Sequence, residues 1–235
     1  MMKFYMTPGS CSTAIHIILE ELGEIFQAHV VNLPAGDQFK PDYVAINPKS
    51  SIPALTFYQK RPPASAGAAP VGADTEGKTL TEIVAIAYWL GRARGGGRLW
   101  PQGIEAETRA IEVMSHVAGA IHGHGFTRIF VPESYSPESY SPESSARESI
   151  VAQGRALVQK GFSILDSALG DETWFCGGFS VVDPIVFYVC FWADKVQIKL
   201  PPNLLRHYRA MLARPVVQQV LREEGYRPET LGRGP

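Results

Sequence analysis

Three short segments carry residue types whose spacing suits the handling of a thiol and a peptide. Pro8-Gly9-Ser10-Cys11-Ser12 places a thiol and a hydroxyl at the start of an apolar-periodic helix. The N–H groups of a first helical turn lack intrahelical partners, and the helix dipole adds partial positive charge beside them. A thiolate there is stabilised, whether it belongs to Cys11 or to a bound substrate, and its pKa is expected below about 8.5. Ser12 could donate a hydrogen bond to it. The same pattern also fits a small buried Cys11 with Ser12 as a simple helix cap, and the motif alone does not separate the two. The run Cys11-Ser12-Thr13-Ala14 has no second cysteine, which excludes an intramolecular dithiol cycle.

Ser51-Ile52-Pro53-Ala54-Leu55 is the second segment. A proline just before a strand is often a cis bond in a tight turn. It would leave the backbone of Ile52 facing the helix terminus that carries Cys11, open to an extended peptide that pairs as an added strand. An ordinary strand-initiating proline is the alternative. The third segment, Thr81-Glu82-Ile83, opens another helix. Free N–H groups there bind a carboxylate and Glu82 can hold an ammonium, so together they grip an α-amino acid end. An acidic first turn that merely complements the dipole is the alternative.

The elements that must position these segments follow from periodicity. Residues 3–6 read as a strand. Ile15, Ile18, Leu19 and Leu22 form the stripe of a half-buried helix that Gly23 stops, and Ala28–Asn32 is a second strand. Phe39–Ile46 suits a short helix, Ala54–Tyr58 a third strand and Lys78–Leu80 a fourth. The Pro/Ala/Gly-rich stretch at about 60–77 is expected to be a flexible hairpin insertion. Ile83, Ile86, Ala87 and Leu90 mark the next helix. The order βαβ…ββα is that of an α/β thioredoxin-like domain, assigned to residues 1–92. Residues 93–103, with Arg94-Gly-Gly-Gly-Arg98, form a linker.

Beyond it, 104–235 reads as an all-α domain: Glu105–Ile121, a helix bearing Val151 to Leu169, one from Asp183, then Leu204–Ala213 and Val216–Glu224. Residues 132–145 repeat a Pro-Glu-Ser-Tyr-Ser unit and read as a low-complexity, solvent-exposed loop. Ser180-Val-Val-Asp183 has capping-box spacing, and Pro184 suits a first helical turn.

Bulk properties narrow the function. The 235 residues suffice for two domains, and the net charge of -1 gives no field for nucleic acid or an anionic membrane. Cys11, Cys176 and Cys190 are too sparse for a disulfide framework and lack zinc spacing. With no signal-like or membrane-spanning run, a reducing cytoplasm is expected. A zinc site from His116, His122 and His124 is conceivable but lacks an acidic or thiol ligand, so no metal is expected.

Taken in order, PGSCS, NPKSSIPAL (Asn47–Leu55), TEIVAIAYWL (Thr81–Leu90), HGFTRIF (His124–Phe130) and WFCGGFSVVD (Trp174–Asp183) make the chain resemble the glutathione transferases, most closely their bacterial beta class. The likeness covers nearly the whole chain outside the two insertions. It implies that glutathione is the cosubstrate, with Cys11 and Ser12 beside its sulfur and able, at Cys11, to form a mixed disulfide. It implies that Ile52, ahead of Pro53, pairs with the cysteinyl backbone, and that Thr81, Glu82 and Ile83 hold the γ-glutamyl end. Phe126, Phe130 and Trp192 would line an acceptor pocket, Ser180 and Asp183 would start a buried helix, and two copies would form a homodimer.

Three departures from the family pattern stand out. The usual His-Lys pair is replaced by His122-Gly123-His124, and either histidine could face the thiolate or the glycyl carboxylate. The basic residue after the second strand has Lys40 as its nearest match. Ile83 stands where Gly or Ser is usual. The implied activity is conjugation of the glutathione thiolate to small hydrophobic electrophiles, a detoxification chemistry. Thiol–disulfide exchange through Cys11 and a non-catalytic glutathione-binding protein are the alternatives.

Overall fold

A computed structural model describes residues 2–57, 78–95, 97–141 and 144–232. The expected hairpin insertion at 60–77 lies outside the described residues.

The chain begins β1 (Met2–Met6), α1 (Ser12–Leu22), β2 (Phe26–Val30), α2 (Pro41–Val44), β3 (Ala54–Phe57), β4 (Thr79–Thr81) and α3 (Ile83–Trp89). The strands form one sheet in the order β2-β1-β3-β4. β1 and β2 run parallel, as the α1 crossover requires, and the other two pairings are antiparallel. This is the thioredoxin-like arrangement. Gly23 ends α1 with φ 67°, and its N–H returns to the carbonyls of the last turn. The Phe39–Ile46 segment, read as one helix, divides into a single 3-10 turn (Asp37–Phe39) and the four-residue α2, because Pro41 starts a new helix rather than continuing one.

The rest is helical: α4 (Ile104–His116), α5 (Thr127–Phe130), α6 (Ser145–Leu169), α7 (Val182–Lys195), α8 (Pro202–Leu212) and α9 (Pro215–Glu223). The sequence pattern ends the α4 region at Ile121. In the structure the helix runs on through wide π-type turns over Val117–Phe126 and joins α5. Close approach to α6 accompanies this: a Cβ on Gly161 would lie 2.4 Å from the Ile121 side chain. Residues of the low-complexity loop fold into two 3-10 turns, Pro132–Ser134 and Pro137–Tyr140. Arg147 anchors them through Glu133 and the Ser139 carbonyl, and Pro132 and Ser139 are buried.

One hydrophobic core unites both parts, running from Phe4 and Ile15 through Leu99 and Trp100 to Phe187 and Phe191. α7 lies at its centre, with every residue from Val182 to Ala193 buried. Its start is fixed by Asp183, fully buried, whose carboxylate accepts from Ser180 N–H at 2.8 Å, Ser180 Oγ at 3.2 Å and Phe175 N–H at 3.2 Å. Ser180 Oγ in turn accepts from Val182 N–H at 3.3 Å. The helix α1, half-buried by its stripe, is buried along all of Ser12–Leu19, because α7 and α9 cover the face turned away from the sheet.

Candidate active site

The turn Pro8-Gly9-Ser10 delivers Cys11 to the N-cap of α1. Gly9 has φ 71°, and a Cβ there would lie 1.9 Å from the Tyr226 hydroxyl, so only glycine fits. The Gly9 peptide is gripped at both ends from the helical part. Its N–H donates to Glu224 Oε2 at 2.7 Å and its carbonyl accepts from Trp192 Nε1 at 2.8 Å. The Glu224 carboxylate also accepts from Thr13 Oγ1 at 2.6 Å and meets His16 Nδ1 at 2.9 Å. Thr13 and His16 thus face a partner more than 200 residues away in sequence, a contact that α1's own pattern gives no sign of.

Ser12 is fully buried. Its hydroxyl donates to the Thr7 carbonyl at 3.0 Å, accepts from Thr7 N–H at 3.0 Å and meets Ser10 Oγ at 2.7 Å. Cys11 is buried, and its Sγ donates to the Ile52 carbonyl at 3.6 Å. The expectation of a depressed thiol pKa is reversed here. Burial pushes Cys11 up to about 12 and outweighs the backbone N–H groups of Cys11 and Ser12, which pull it down.

The Ile52–Pro53 peptide is cis, and pairing of β3 with β1 begins only at Ala54, which leaves the Ile52 backbone outside the ladder and beside Cys11. Glu82 caps α3 with φ 69°, its side chain exposed and Ile83 buried behind it. Lys49 reaches across from the NPKS segment: its Nζ lies 2.6 Å from Glu82 Oε1 and 3.1 Å from Thr81 Oγ1. Lys40, the nearest match for a basic residue after β2, instead pairs with Asp37 at 2.6 Å.

The three aromatic residues meet. Phe130 stacks on Phe126 with ring centroids 5.5 Å apart, and Trp192 sits edge-on to both at 5.2 and 5.3 Å. Phe126 is wholly buried as backing, whereas Phe130 and Trp192 face a cleft of about 360 Å3 whose other wall is the Pro8–Ser10 turn. The two histidines part company. His122 packs edge-on to Trp192 at 4.8 Å, its Nδ1 3.2 Å from Tyr188 Oη, and burial lowers it to about 4, so its imidazole is neutral. His124 is exposed, and its carbonyl accepts from Arg128. His116 turns to the Gly161 carbonyl, so these three imidazoles do not converge. Among the described residues, His16, Glu20 and Glu223 are the group whose ligand atoms come near enough to hold a metal, and His16 is already bonded to Glu224 and Glu223.

Residues 9–93 match the N-terminal domain of glutathione S-transferases and residues 148–210 the C-terminal domain. The chain is 32% identical to glutathione S-transferase GstA of Escherichia coli O157:H7 over 95% of its own length and 99% of that protein. The chain belongs to the glutathione S-transferase family. Among solved structures it is similar to the bacterial beta class glutathione S-transferase of Sphingomonas chungbukensis, with 27% identity and a TM-score of 0.72 over 95% of this chain and 98% of that one. A sphingomonad glutathione S-transferase complexed with glutathione gives 26% identity and a TM-score of 0.74 over the same shares.

Lys49, Tyr188, Glu224 and Tyr226 of this transferase join the site without belonging to the residues that its sequence motifs single out. Lys49 lies inside Asn47–Leu55, where its basic character is the available signal. The other three come from the helical part, and nothing local links them to the Cys11 turn.

Proposed function

We propose that this transferase binds glutathione in the corner between Cys11, Ile52 and Glu82 and conjugates its thiolate to small hydrophobic electrophiles. The observation that carries the reading is the cleft between the Pro8–Ser10 turn and the Phe130–Trp192 wall, next to the start of α1. The cysteinyl backbone pairs with Ile52 as an added strand. The γ-glutamyl ammonium goes to Glu82, and its carboxylate to the Ile83 N–H and to Lys49. The sulfur lies at the head of α1, where the helix terminus favours the thiolate and the electrophile rests on Phe130 and Trp192. Cys11, protonated at neutral pH, acts there as a hydrogen-bond donor rather than as a nucleophile. His122 and Ser12 hold the site in shape, His122 through Tyr188 and Trp192 and Ser12 through Thr7. His124, Thr81 and Phe126 stand behind or beside these contacts.

The test uses immobilised glutathione, a model aryl halide and a glutathione mixed disulfide on the wild type, Cys11→Ala and Ser12→Ala. Retention on glutathione with aryl-halide conjugation supports the reading. Wild-type protein that fails to bind glutathione at millimolar concentration would sink it. Disulfide reduction by the wild type, with no conjugation, would favour exchange through Cys11 instead.

We further assign a homodimer, supported by exposed apolar side chains at Tyr88, Ile104 and Ile111, with light scattering in solution as the check. Three free cysteines suit a reducing cytoplasm, and among the described residues no helix is long and apolar enough to cross a membrane.

A further inference from the structure

We propose that the acceptor cleft selects aromatic electrophiles bearing a carboxylate, with Lys195 as the residue that recognises the anionic group. The inference rests on the conjugation reading and narrows its substrate class.

Lys195 is the last residue of α7 and, among the described residues that line the cleft, it alone carries a charge. The wall opposite the Pro8–Ser10 turn is otherwise apolar, made by Phe130, Trp192 and Val196. The Lys195 ammonium lies over the Tyr226 ring, 4.2 Å from its centroid, and 5.3 Å from that of Phe191. Among the described residues it has no carboxylate partner. Asp194, its neighbour in sequence, and Glu224, close to Tyr226 in sequence, are both engaged. Asp194 accepts from Tyr208 Oη at 3.0 Å and from Gly232 N–H at 2.8 Å, and Glu224 is filled by Gly9, Thr13 and His16.

Tyr226 fixes where this cation stands. Its hydroxyl presses on Gly9, so the ring and the ammonium above it sit beside the turn that leads to Cys11. A flat ring laid against Phe130 and Trp192 would have its reacting carbon toward the turn and a substituent toward Lys195. Lys195 is exposed, and a cation–π contact at an exposed site is weak, so an incoming carboxylate competes well for the ammonium. A cleft of about 360 Å3 has room for a substituted benzene ring.

For an aryl halide the step balances without further reactants. The glutathione thiolate supplies the electron pair of the new carbon–sulfur bond. The carbon–halogen bond breaks, halide departs with its pair, and the proton lost by the thiol goes to solvent.

The experiment compares a chlorodinitrobenzoate with its methyl ester, which shares the ring and the leaving group. We expect wild-type kcat/KM to favour the acid over the ester, after correction for the uncatalysed rates. Lys195→Met should lower that acid-to-ester ratio about tenfold, Lys195→Arg should keep most of it, and added salt should shrink it in the wild type. An acid-to-ester ratio that is the same in the wild type and Lys195→Met would overturn the proposal while leaving conjugation intact. So would a Lys195→Met effect confined to the KM for glutathione, which would assign the cation to the peptide. Glutathione binding with no turnover of either halide would overturn the conjugation reading itself, and this inference with it.

Discussion

Cys11 carries its thiol as a neutral donor, because burial lifts it from 9.0 to about 12. Since the folded state holds this proton more tightly than the unfolded chain, the associated stability is complete below pH 9. It is lost as pH climbs toward 12. Two outcomes follow for the residue itself. Iodoacetamide should modify Cys11 of the free protein slowly at pH 8, at under a tenth of the rate of a small free thiol, as followed by mass spectrometry. Cys11→Ala should keep conjugation within about fivefold, since one neutral donor contributes about 1 kcal/mol. His122 works in the opposite direction. Its folded pKa is depressed to about 4, so its contribution is present above 6.5 and is lost as pH falls through 4. The urea midpoint of the wild type should therefore drop across that window more than that of His122→Asn. Cys11, Ile52, Pro53 and Glu82 were legible in the sequence because each belongs to a short local motif. The direction of the Cys11 shift was not, since it depends on how much chain closes over the thiol, and no single motif reports that.

The turn before α1 is an element held from outside. Gly9→Ala would force a Cβ into Tyr226 at a φ of 71° and should cost about 3 kcal/mol by urea denaturation. Pairing it with Tyr226→Ala should recover the steric part and leave the strain. Glu224→Gln would keep the shape but remove the charge that Gly9 N–H, Thr13 and His16 share. A loss of about 2–4 kcal/mol is expected, with a raised KM for glutathione because the turn is no longer fixed. A variant as stable as the wild type would show that the clamp contributes nothing. At this scale capping-box spacing marked the start of α7, and helix periodicity revealed α1, α3 and α6, because each has one face that must be apolar. It missed the π-type extension through Phe126. Val117–Phe126 is apolar and glycine-rich on most sides, and its winding is decided by how closely α6 approaches rather than by its own pattern.

At the scale of the molecule, the two parts share one core, and α1 is the element they share. The sheet covers one face of α1, and α7 and α9 cover the other, so Ser12–Leu19 has no exposed residue. Removing the helical part would bare the second face of α1. It would also uncover the buried Ile83, Ile86 and Ala87 side of α3 wherever α4 and its neighbours pack on it. Each large apolar side chain returned to water costs about 1.5–3 kcal/mol, and a domain of this size has about 5–15 kcal/mol in all. Two or three such losses, with the Glu224 and Trp192 clamps gone, exceed the low end of that range. A fragment spanning residues 1–95 should accordingly lack a cooperative thermal transition by circular dichroism and show poorly dispersed amide resonances. Mixing it with the separately produced fragment 97–235 should restore both, together with retention on immobilised glutathione. A fragment that melts cooperatively alone would mean that the glutathione corner is built by the sheet and α1 without help. In that case the role assigned here to α7 and α9, as the second wall of the site, would have to be given up.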